Sequence, residues 1–397
     1  MAHWMPTGFQ FTGVHCGIKS DPQQQDLVLV TCPQSAVAAG VYTENRMYAA
    51  PVELDRERTP SPDIRAVVVN SGNANACTGS RGLADAREMA RLTAAALHTD
   101  QEQVLVMSTG IIGEYLPMGR IASGISSASD RLGTSEEDWL AAARGITTTD
   151  KSHKTAHREV VLAGRAVQVL GMCKGAGMIG PRMATMLAII LTDARLTPET
   201  AQVTLTAGAD ASFNCVSVEG HMSTNDTVLL LSSGAAMSEP LVGAQLESFG
   251  EVVQEVCIDL ARQIADDGEG ASHLINIHVT GCATAVDARR IAETVAHSNL
   301  VKTGIAGADP NWGRIVSAVG YAGVSFDRDR LGLKLNRFSL FENGAPVEFD
   351  ASVVSASMRS QREILVELTF AERSAEARFW TSDLTVEYVR FNSEYHT

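Results

Sequence analysis

The feature of this sequence that most constrains its fold is the alternation of short apolar runs with helical patterns in its second half. Apolar runs of strand length occupy residues 186–191, 226–231 and 275–280. A helical spacing of apolar residues follows each run, at 198–211, 241–265 and 285–297, and Thr197 stands at the N-cap position of the first helix. Interleaved strands and helices are typical of the α/β and α+β classes and exclude an all-α or all-β fold.

The rest of the chain carries the same mixture. The spacing predicts a helix at 82–98 and a capped helix at 135–143, where Ser135 stands three residues before Asp138. Further strands are predicted at 26–44, 65–69, 104–108, 158–162, 166–172, 331–335, 363–370 and 376–380. The 397 residues are enough for two to three domains or one large assembly, and no linker composition marks a domain boundary.

The charge balance excludes several classes of function. The formal net charge is −14, from 32 Lys+Arg and 46 Asp+Glu, and the basic residues form no run. Nucleic-acid binding through phosphates needs a basic surface, and a membrane-spanning helix needs ~20 apolar residues. The N-terminus lacks the pattern of a secretory signal, and the seven cysteines form no CxxC pair. We therefore expect a cytoplasmic protein with no nucleic-acid or membrane partner.

The glycine run at 175–180, Gly-Ala-Gly-Met-Ile-Gly, matches the dinucleotide pattern GxGxxG. In a dinucleotide site a helix begins inside the glycine run, whereas here Pro181 would fall in its early turns and a buried-strand pattern follows. The context therefore argues against a nicotinamide or flavin site and favours a tight turn that exposes the backbone.

Thr185 follows this turn and stands at the mouth of an apolar run. A threonine hydroxyl becomes a nucleophile when a base takes its proton, and the α-amine of an N-terminal threonine is one such base. That amine titrates near ~7.7–8.0, which suits the role. Thr185 would become N-terminal only by cleavage of the Ala184–Thr185 bond. From the residues alone, a structural threonine in a buried strand is the commoner outcome.

Several segments of the chain resemble one known family. Residues 174–187, KGAGMIGPRMATML, are similar to the self-cleavage signature of the ornithine acetyltransferase (glutamate N-acetyltransferase) family, whose members are bifunctional enzymes of arginine biosynthesis. Other segments match blocks of this family in its own order and cover nearly the whole chain. They are NSGNANACTG (70–79), STGIIG (108–113), TTD (148–150), STNDTVLLL (223–231), DGEGA (267–271), LVKTGIAGADPNWGRI (300–315) and YVRFNSEY (388–395).

The resemblance implies a mixed α/β fold of layered sheets and helices, of the N-terminal-nucleophile type. Thr185 would be the nucleophile, exposed when the chain cuts itself between Ala184 and Thr185 into an α chain (1–184) and a β chain (185–397). Thr109 and Gly110 match the oxyanion hole, where a hydroxyl and a backbone N–H can share one oxygen. The positions matching substrate-binding residues are Thr148, Lys174, Thr185, Glu269, Asn392 and Thr397. A lysine suits a substrate carboxylate, and Glu269 suits the ammonium end of ornithine.

The implied reaction moves an acetyl group from N-acetylornithine to glutamate by ping-pong chemistry, with acetyl-CoA as a conceivable second donor. It requires no metal and no organic cofactor, and the family resemblance suggests an (αβ)2 assembly. Two alternatives stay open. An autoprocessed aminopeptidase or amidase would pass the acyl group to water, and a non-catalytic relative would remain one uncut chain that only binds a small acidic ligand.

Some positions depart from the family pattern. Arg182 replaces an Asn or Asp, His273 replaces a Lys, and Glu219-Gly220-His221-Met222 stands where the family usually reads Asp-Gly-Asp-Thr. Because these changes alter charge near the matched segments, we expect a relaxed preference for the donor. The histidine pairs 153/157 and 273/278 lack carboxylate or cysteine partners in the sequence, so we interpret them as surface residues.

Overall fold

The computed structural model describes residues 4–180 and 186–394, and its architecture is the mixed α/β class that the sequence predicts. Fifteen strands lie within these residues. They are β1 (Gln10–Val14), β2 (Leu27–Tyr42), β3 (Ser61–Asn73), β4 (Val104–Ile111), β5 (Lys154–Leu162), β6 (Arg165–Lys174), β7 (Leu187–Thr192), β8 (Val216–Ser217), β9 (Thr227–Ser232), β10 (Leu274–Cys282), β11 (Gly332–Leu335), β12 (Phe338–Glu342), β13 (Ala345–Pro346), β14 (Glu363–Thr369) and β15 (Ala375–Ser382).

Eleven α-helices lie in the same described ranges. They are α1 (Ala50–Arg58), α2 (Gly79–Leu97), α3 (Met118–Ser129), α4 (Glu136–Gly145), α5 (Pro198–Ala211), α6 (Ala244–Asp266), α7 (Ala285–Ala296), α8 (Asn299–Ala306), α9 (Trp312–Gly320), α10 (Ala351–Ser360) and α11 (Val386–Glu394). None of them combines the length and the apolar character that crossing a bilayer requires.

The first sheet has eight strands in the order β4-β3-β2-β9-β7-β6-β5, and β1 pairs with β2. Its central pair, β7 and β9, runs parallel, and every residue of both strands is buried. A strand covered on both faces reads as a continuous apolar run, which is why the sequence predicts both strands. Lys174, Leu187 and Thr227 stand in register across β6, β7 and β9, so one end of this part of the sheet carries all three.

The second sheet has seven strands in the order β13-β12-β11-β14-β10-β15-β8. Helices α5 and α6 pack against the first sheet, and α6 also contacts β8 and β15 of the second. One apolar cluster therefore runs through both sheets and contains Ile190 of β7, Leu260 of α6 and Ile277 of β10. A separate cluster packs α2 and α3 on β3 and β4.

Two predicted helix starts are confirmed in atomic detail. The Ser135 hydroxyl accepts the backbone N–H of Asp138, and the Asp138 carboxylate accepts the N–H of Ser135, which completes a capping box. At α5 the Thr197 hydroxyl accepts the N–H of Thr200, with Pro198 in the first turn. Each cap fixes the residue at which its helix begins.

Candidate active site

A cleft of about 790 Å³, including its open mouth, lies where the ends of β4 and β6 meet the loop after α6 and the helix α11. Six of the residues predicted from the sequence border it: Thr109, Gly110, Thr148, Lys174, Glu269 and Asn392. Ala184, Thr185 and Thr397 lie outside the described residues. The cleft thus brings together residues that are separated by up to 283 positions in the chain.

Gly110 is positioned by the pairing of β4 with β3. The two strands are parallel, Gly110 pairs with Gly72, and the register shifts at Asn73. Gly110 has a φ of +133°, and a Cβ at this position would lie 2.2 Å from the carbonyl carbon of Gly72. Only glycine fits here, because both the backbone conformation and the close approach exclude a side chain. The neighbouring Thr109 is 2% exposed and borders the same cleft.

Asn225 holds the two loops behind Gly110 together. Its Nδ2 donates to the carbonyl oxygen of Ser108 at 2.8 Å and to that of Ala74 at 2.6 Å. The Ser108 hydroxyl in turn donates to Asn70 Oδ1 at 2.6 Å. This buried network joins the carboxyl ends of β3 and β4 to the segment before β9, so the strand ends around the cleft are fixed to one another.

Lys174 ends β6 and is 3% exposed. Burial lowers the pKa of its ammonium group, and the carboxylates of Asp150 and Glu269 act in the opposite direction. A buried cation at the wall of a cleft favours an anionic ligand, so this position suits a substrate carboxylate.

A buried ion network places Thr148 and Glu269 on the same wall. Lys154 Nζ lies 2.6 Å from Asp150 Oδ1 and 2.6 Å from Asp267 Oδ2. Asp150 also accepts the backbone N–H of Thr148 at 3.0 Å and that of Gly175 at 2.7 Å. Because Asp267 begins the loop that carries Glu269, this cation links three segments of the cleft wall.

Asp150 has an unusually acidic carboxyl group. Burial alone would raise its pKa, but the ammonium groups of Lys154 and Lys174 and the N–H of Gly175 outweigh burial and bring the pKa to about 2. Asp150 is therefore a carboxylate throughout the physiological range, and its role is to hold the loop.

Glu269 is held by three contacts. Its backbone N–H donates to the carbonyl oxygen of Ala176 at 2.9 Å. Its Oε1 accepts the Thr149 hydroxyl at 2.7 Å, and its Oε2 accepts Asn392 Nδ2 at 3.2 Å. A Cβ on Gly177 would lie 2.3 Å from Glu269 Cδ, so the absence of a side chain there leaves room for this carboxyl group.

The sequence comparisons identify the family. The sequence model of the ArgJ family matches residues 10–397. The chain belongs to the ArgJ family. The protein of Rhodopirellula baltica named arginine biosynthesis bifunctional protein ArgJ is 46% identical over 399 residues, which cover 100% of this chain and 97% of that protein. The ArgJ protein of Symbiobacterium thermophilum is 42% identical over 395 residues, which cover 99% of this chain and 98% of that protein.

A solved structure agrees with this membership. The crystal structure of ArgJ from Bacillus halodurans is 34% identical, covers 52% of this chain and 98% of that one, and gives a TM-score of 0.51. The predicted family, an N-acetyltransferase family of arginine biosynthesis, is therefore confirmed.

The glycine run at 175–180 of this ArgJ-family chain is a loop, as predicted. The carbonyl oxygen of Ile179 accepts the backbone N–H groups of Val218, Glu219 and Gly220. A Cβ on Gly180 would lie 2.7 Å from the carbonyl carbon of Gly220. The run therefore lets a second loop approach its backbone closely.

The departures from the ArgJ-family pattern fall in different places. His221 is exposed and borders the cleft, whereas Arg182 lies outside the described residues. Met222 is half-buried, and its carbonyl oxygen accepts Asn45 Nδ2 at 3.1 Å.

The interpretation of the histidines as partnerless surface residues is wrong for two of them. His273 Nδ1 lies 2.8 Å from Asp383 Oδ2, and His278 Nε2 lies 3.2 Å from Glu376 Oε2. Each partner is about a hundred positions away in the chain, so sequence spacing gives no signal of it.

The residues of the cleft wall that were not singled out from the sequence as site residues include Thr149, Asn225 and Tyr388. All three fall inside the family blocks TTD, STNDT and YVRFNSEY, which is the only signal that could have pointed to them.

Proposed function

We propose that this chain moves an acetyl group from N-acetylornithine to glutamate through an acetyl ester on Thr185, after cutting itself between Ala184 and Thr185. The observation that carries the proposal is the convergence of the matched residues. Six positions between 109 and 392, matched to the family one by one, border a single cleft. Residues that serve only the local structure of six separate segments would not be expected to border one cleft.

The surroundings of the proposed cleavage position support a reactive role. Met186, which follows Thr185 in the chain, donates its backbone N–H to Asp226 Oδ1 at 3.0 Å. Leu187 pairs with Lys174, whose side chain is part of the cleft. Met186 and Leu187, the first described residues after the proposed cut, are thus held by buried groups, and Leu187 pairs with a residue of the cleft wall.

The mechanism uses one nucleophile for two half-reactions. The Thr185 α-amine takes the proton from the Thr185 hydroxyl, and the oxygen attacks the acetyl carbonyl of N-acetylornithine. The resulting oxyanion accepts hydrogen bonds from the Thr109 hydroxyl and the Gly110 N–H. The C–N bond then breaks, and ornithine leaves with the proton that the amine had taken. The α-amine of glutamate attacks the acetyl ester in the same way and releases the Thr185 hydroxyl.

Charge in the cleft suits these substrates. Lys174 would face a substrate carboxylate, and Glu269 would face the ammonium group of ornithine. Thr148 and Asn392 border the same space and would orient the amino acid by hydrogen bonds. Thr397 is proposed to contribute on the basis of the family match alone.

The two halves produced by the cut would remain together. Strands β7 and β9, which follow position 185, pair with β6 and β2, which precede it. The proposed α chain (1–184) and β chain (185–397) therefore share one sheet. We expect an (αβ)2 assembly in solution, which light scattering of the purified protein would measure.

Self-cleavage is tested on a denaturing gel. We expect two fragments. The N-terminal fragment should end at Ala184, and the C-terminal fragment should begin with the sequence Thr-Met-Leu-Ala. Thr185→Ala should remain one full-length band, and Thr185→Ser, which keeps a hydroxyl, should still be cut. A wild-type preparation that stays intact after prolonged incubation would remove the basis of the mechanism.

Acetyl transfer is tested by incubating the purified protein with N-acetylornithine and glutamate and measuring both products by mass. We expect N-acetylglutamate and ornithine in equal amounts, and one acetyl group on the β chain when glutamate is omitted. Release of acetate without glutamate would identify a hydrolase instead. Replacing N-acetylornithine by acetyl-CoA in the same assay shows whether the thioester is also a donor.

A further inference from the structure

Glu219 stands in the wall between the cleft and a second cavity. The second cavity is bordered by His297 and Lys302 on its far side, and Glu219, His221 and Tyr388 border both spaces. Glu219 thus borders the same space as Glu269 and Lys174. The proposed mechanism gives it no task.

The carboxyl group of Glu219 lacks the donors that Glu269 has. Both of its oxygens are buried, and neither has a hydrogen-bond partner among residues 4–180 and 186–394. Glu269, by contrast, accepts the Thr149 hydroxyl and Asn392 Nδ2. Burying an unpartnered carboxyl group is costly, so this group either holds a proton or meets a donor that a ligand brings.

The groups that face Glu219 come from four neighbouring segments. Glu269 approaches from the loop after α6, Tyr388 from α11, Lys302 from α8 and His221 from the next turn of its own loop. The Lys302 ammonium group is already engaged, since it donates to the carbonyl oxygen of Val218 and to Thr381 Oγ1.

His297, behind Lys302, is held uncharged. Its pKa is lowered to about 4, mainly by burial and further by the charge of Lys302. His297 therefore supplies no positive charge beside Glu219, and Lys302 is the cation whose charge acts on this carboxyl group.

The protonation of Glu219 follows from these neighbours. Burial, and then the charge of Glu269, raises its pKa to about 8, while the nearby backbone groups of His221 and Ile179 and the charge of Lys302 lower it only in part. At neutral pH the carboxyl group of Glu219 is therefore mostly protonated.

We propose that Glu219 is a second carboxyl group for the cationic side chain of the substrate, and that it sets the preference for an amino acid that ends in an ammonium group. This inference rests on the proposed function and adds a residue to it. An ammonium group between the two carboxyl groups would give Glu219 the donor it lacks and would offset the repulsion from Glu269. Glu219 would then release its proton, so binding of a cationic ligand is coupled to proton release.

The experiment is titration calorimetry of the wild-type protein with L-ornithine and with L-norvaline at pH 7, in buffers of different ionisation enthalpy. The two ligands share the α-amine and the carboxylate, so any difference in proton release arises at the side chain. We expect ornithine to release roughly one proton more than norvaline. In Glu219→Gln this difference should vanish, and ornithine should bind about 10- to 100-fold more weakly while norvaline is unchanged.

Two further variants make the outcome decisive. Glu251→Gln removes an exposed carboxyl group of α6 and should leave both titrations unchanged. Glu219→Asp keeps a carboxyl group and should keep the extra proton release, even if its affinity falls. Equal proton release for ornithine in the wild type and in a folded Glu219→Gln would overturn the inference.

Kinetics separates this inference from the proposed function. Glu219→Gln should lower kcat/KM for N-acetylornithine relative to N-acetylnorvaline by about 10- to 100-fold. If the wild type transfers acetyl from neither donor, the proposed function fails, while the calorimetry still tests Glu219. If the wild type transfers acetyl and the ratio is the same in the variant, only the role of Glu219 fails.

Discussion

Removing the buried ammonium group of Lys154 should destabilise the wall of the cleft. Its side chain is 2% exposed, and its two partners, Asp150 and Asp267, are 0% and 9% exposed. Lys154→Met keeps most of the aliphatic length and deletes only the charge. The variant therefore leaves two carboxyl groups in the interior without the cation that both contact.

The expected cost follows from this geometry. A carboxyl group whose pKa falls from the ordinary 3.8 to about 2 is favoured in its charged form by about 2 kcal/mol. Asp267 loses the same partner, and breaking a buried ion pair by removing one member typically costs about 3–5 kcal/mol. We expect the free energy of unfolding of Lys154→Met at pH 7 to fall by that amount.

The pH dependence provides an independent check. In the wild type, the stability from Asp150 is present above pH 4 and is lost as the pH falls towards 2, because the folded pKa lies below the unfolded one. In Lys154→Met the buried carboxyl groups bind protons more readily than in the unfolded chain. The difference between the two proteins should therefore shrink as the pH is lowered from 7 to 4.

The assay is urea unfolding followed by circular dichroism, with Lys334→Met as the matched control. Lys334 is an exposed lysine of β11, so the same chemical change there should alter the free energy of unfolding by less than about 0.5 kcal/mol. If Lys154→Met is as stable as Lys334→Met at pH 7, the ion network does not hold the loops together.

Three further predictions concern the cleft. Gly177→Ala places a Cβ 2.3 Å from Glu269 Cδ and should lower kcat/KM for acetyl transfer roughly 10²-fold. Gly250→Ala, with no atom within 4 Å of the added Cβ, should leave kcat/KM unchanged. Equal kcat/KM values for the two variants would refute the packing argument. Thr109→Ala should lower kcat about 10²–10³-fold with little change in KM, and unchanged steady-state rates would exclude an oxyanion role. Burial raises the pKa of Asp226 to about 8 from the ordinary 3.8, so the wild type should lose stability from pH 4 to 8. Asp226→Asn should lose less stability over this range. Urea midpoints that differ between pH 5 and pH 8 by the same amount in both proteins would contradict this.

The sequence predicts the elements whose stability is local. The runs that become β7 and β9 are apolar throughout because both faces of these strands are covered. The starts of α4 and α5 are readable because their capping residues are adjacent in the chain. In these cases the residues whose pattern predicts the element are the same residues that stabilise it.

Other elements depend on contacts that the sequence does not display. Helix α3 contains several glycine and serine residues, which are poor helix formers, and it is stabilised by packing Ile121 and Ile125 against α2. The two apolar runs at 26–44 form one strand, β2, whose pairing with β3 shifts register between Thr31 and Ala36. The sequence shows two separate apolar runs, because the irregular stretch of the strand between them is not apolar.

The candidate site likewise has features with a local sequence signal and features that depend on contacts between distant segments. Lys154 and Asp150 are four positions apart, but Asp267 is 113 positions beyond Lys154, so the network that fixes the cleft wall has no signature in spacing. The site residues were predicted through whole sequence blocks, each matched to a family. Glu219 lies just before such a block, among the positions that depart from the family pattern, and its lack of a hydrogen-bond partner becomes visible only once the neighbouring loops are in place.

The glycine run at 175–180 shows why a motif needs its surroundings. In a dinucleotide site the glycines let the backbone approach a pyrophosphate, and a helix follows. Here the same requirement for close approach is met by protein groups: Gly177 faces the Glu269 carboxyl group, and Gly180 faces the backbone of Gly220. Since those two loops carry Glu219 and Glu269, the missing side chains of the glycine run are what allow both carboxyl groups to border one cleft. The pattern GxGxxG therefore indicates a backbone that another group approaches closely. The chemistry depends on which group that is, a pyrophosphate or a part of the protein, and not on the pattern itself.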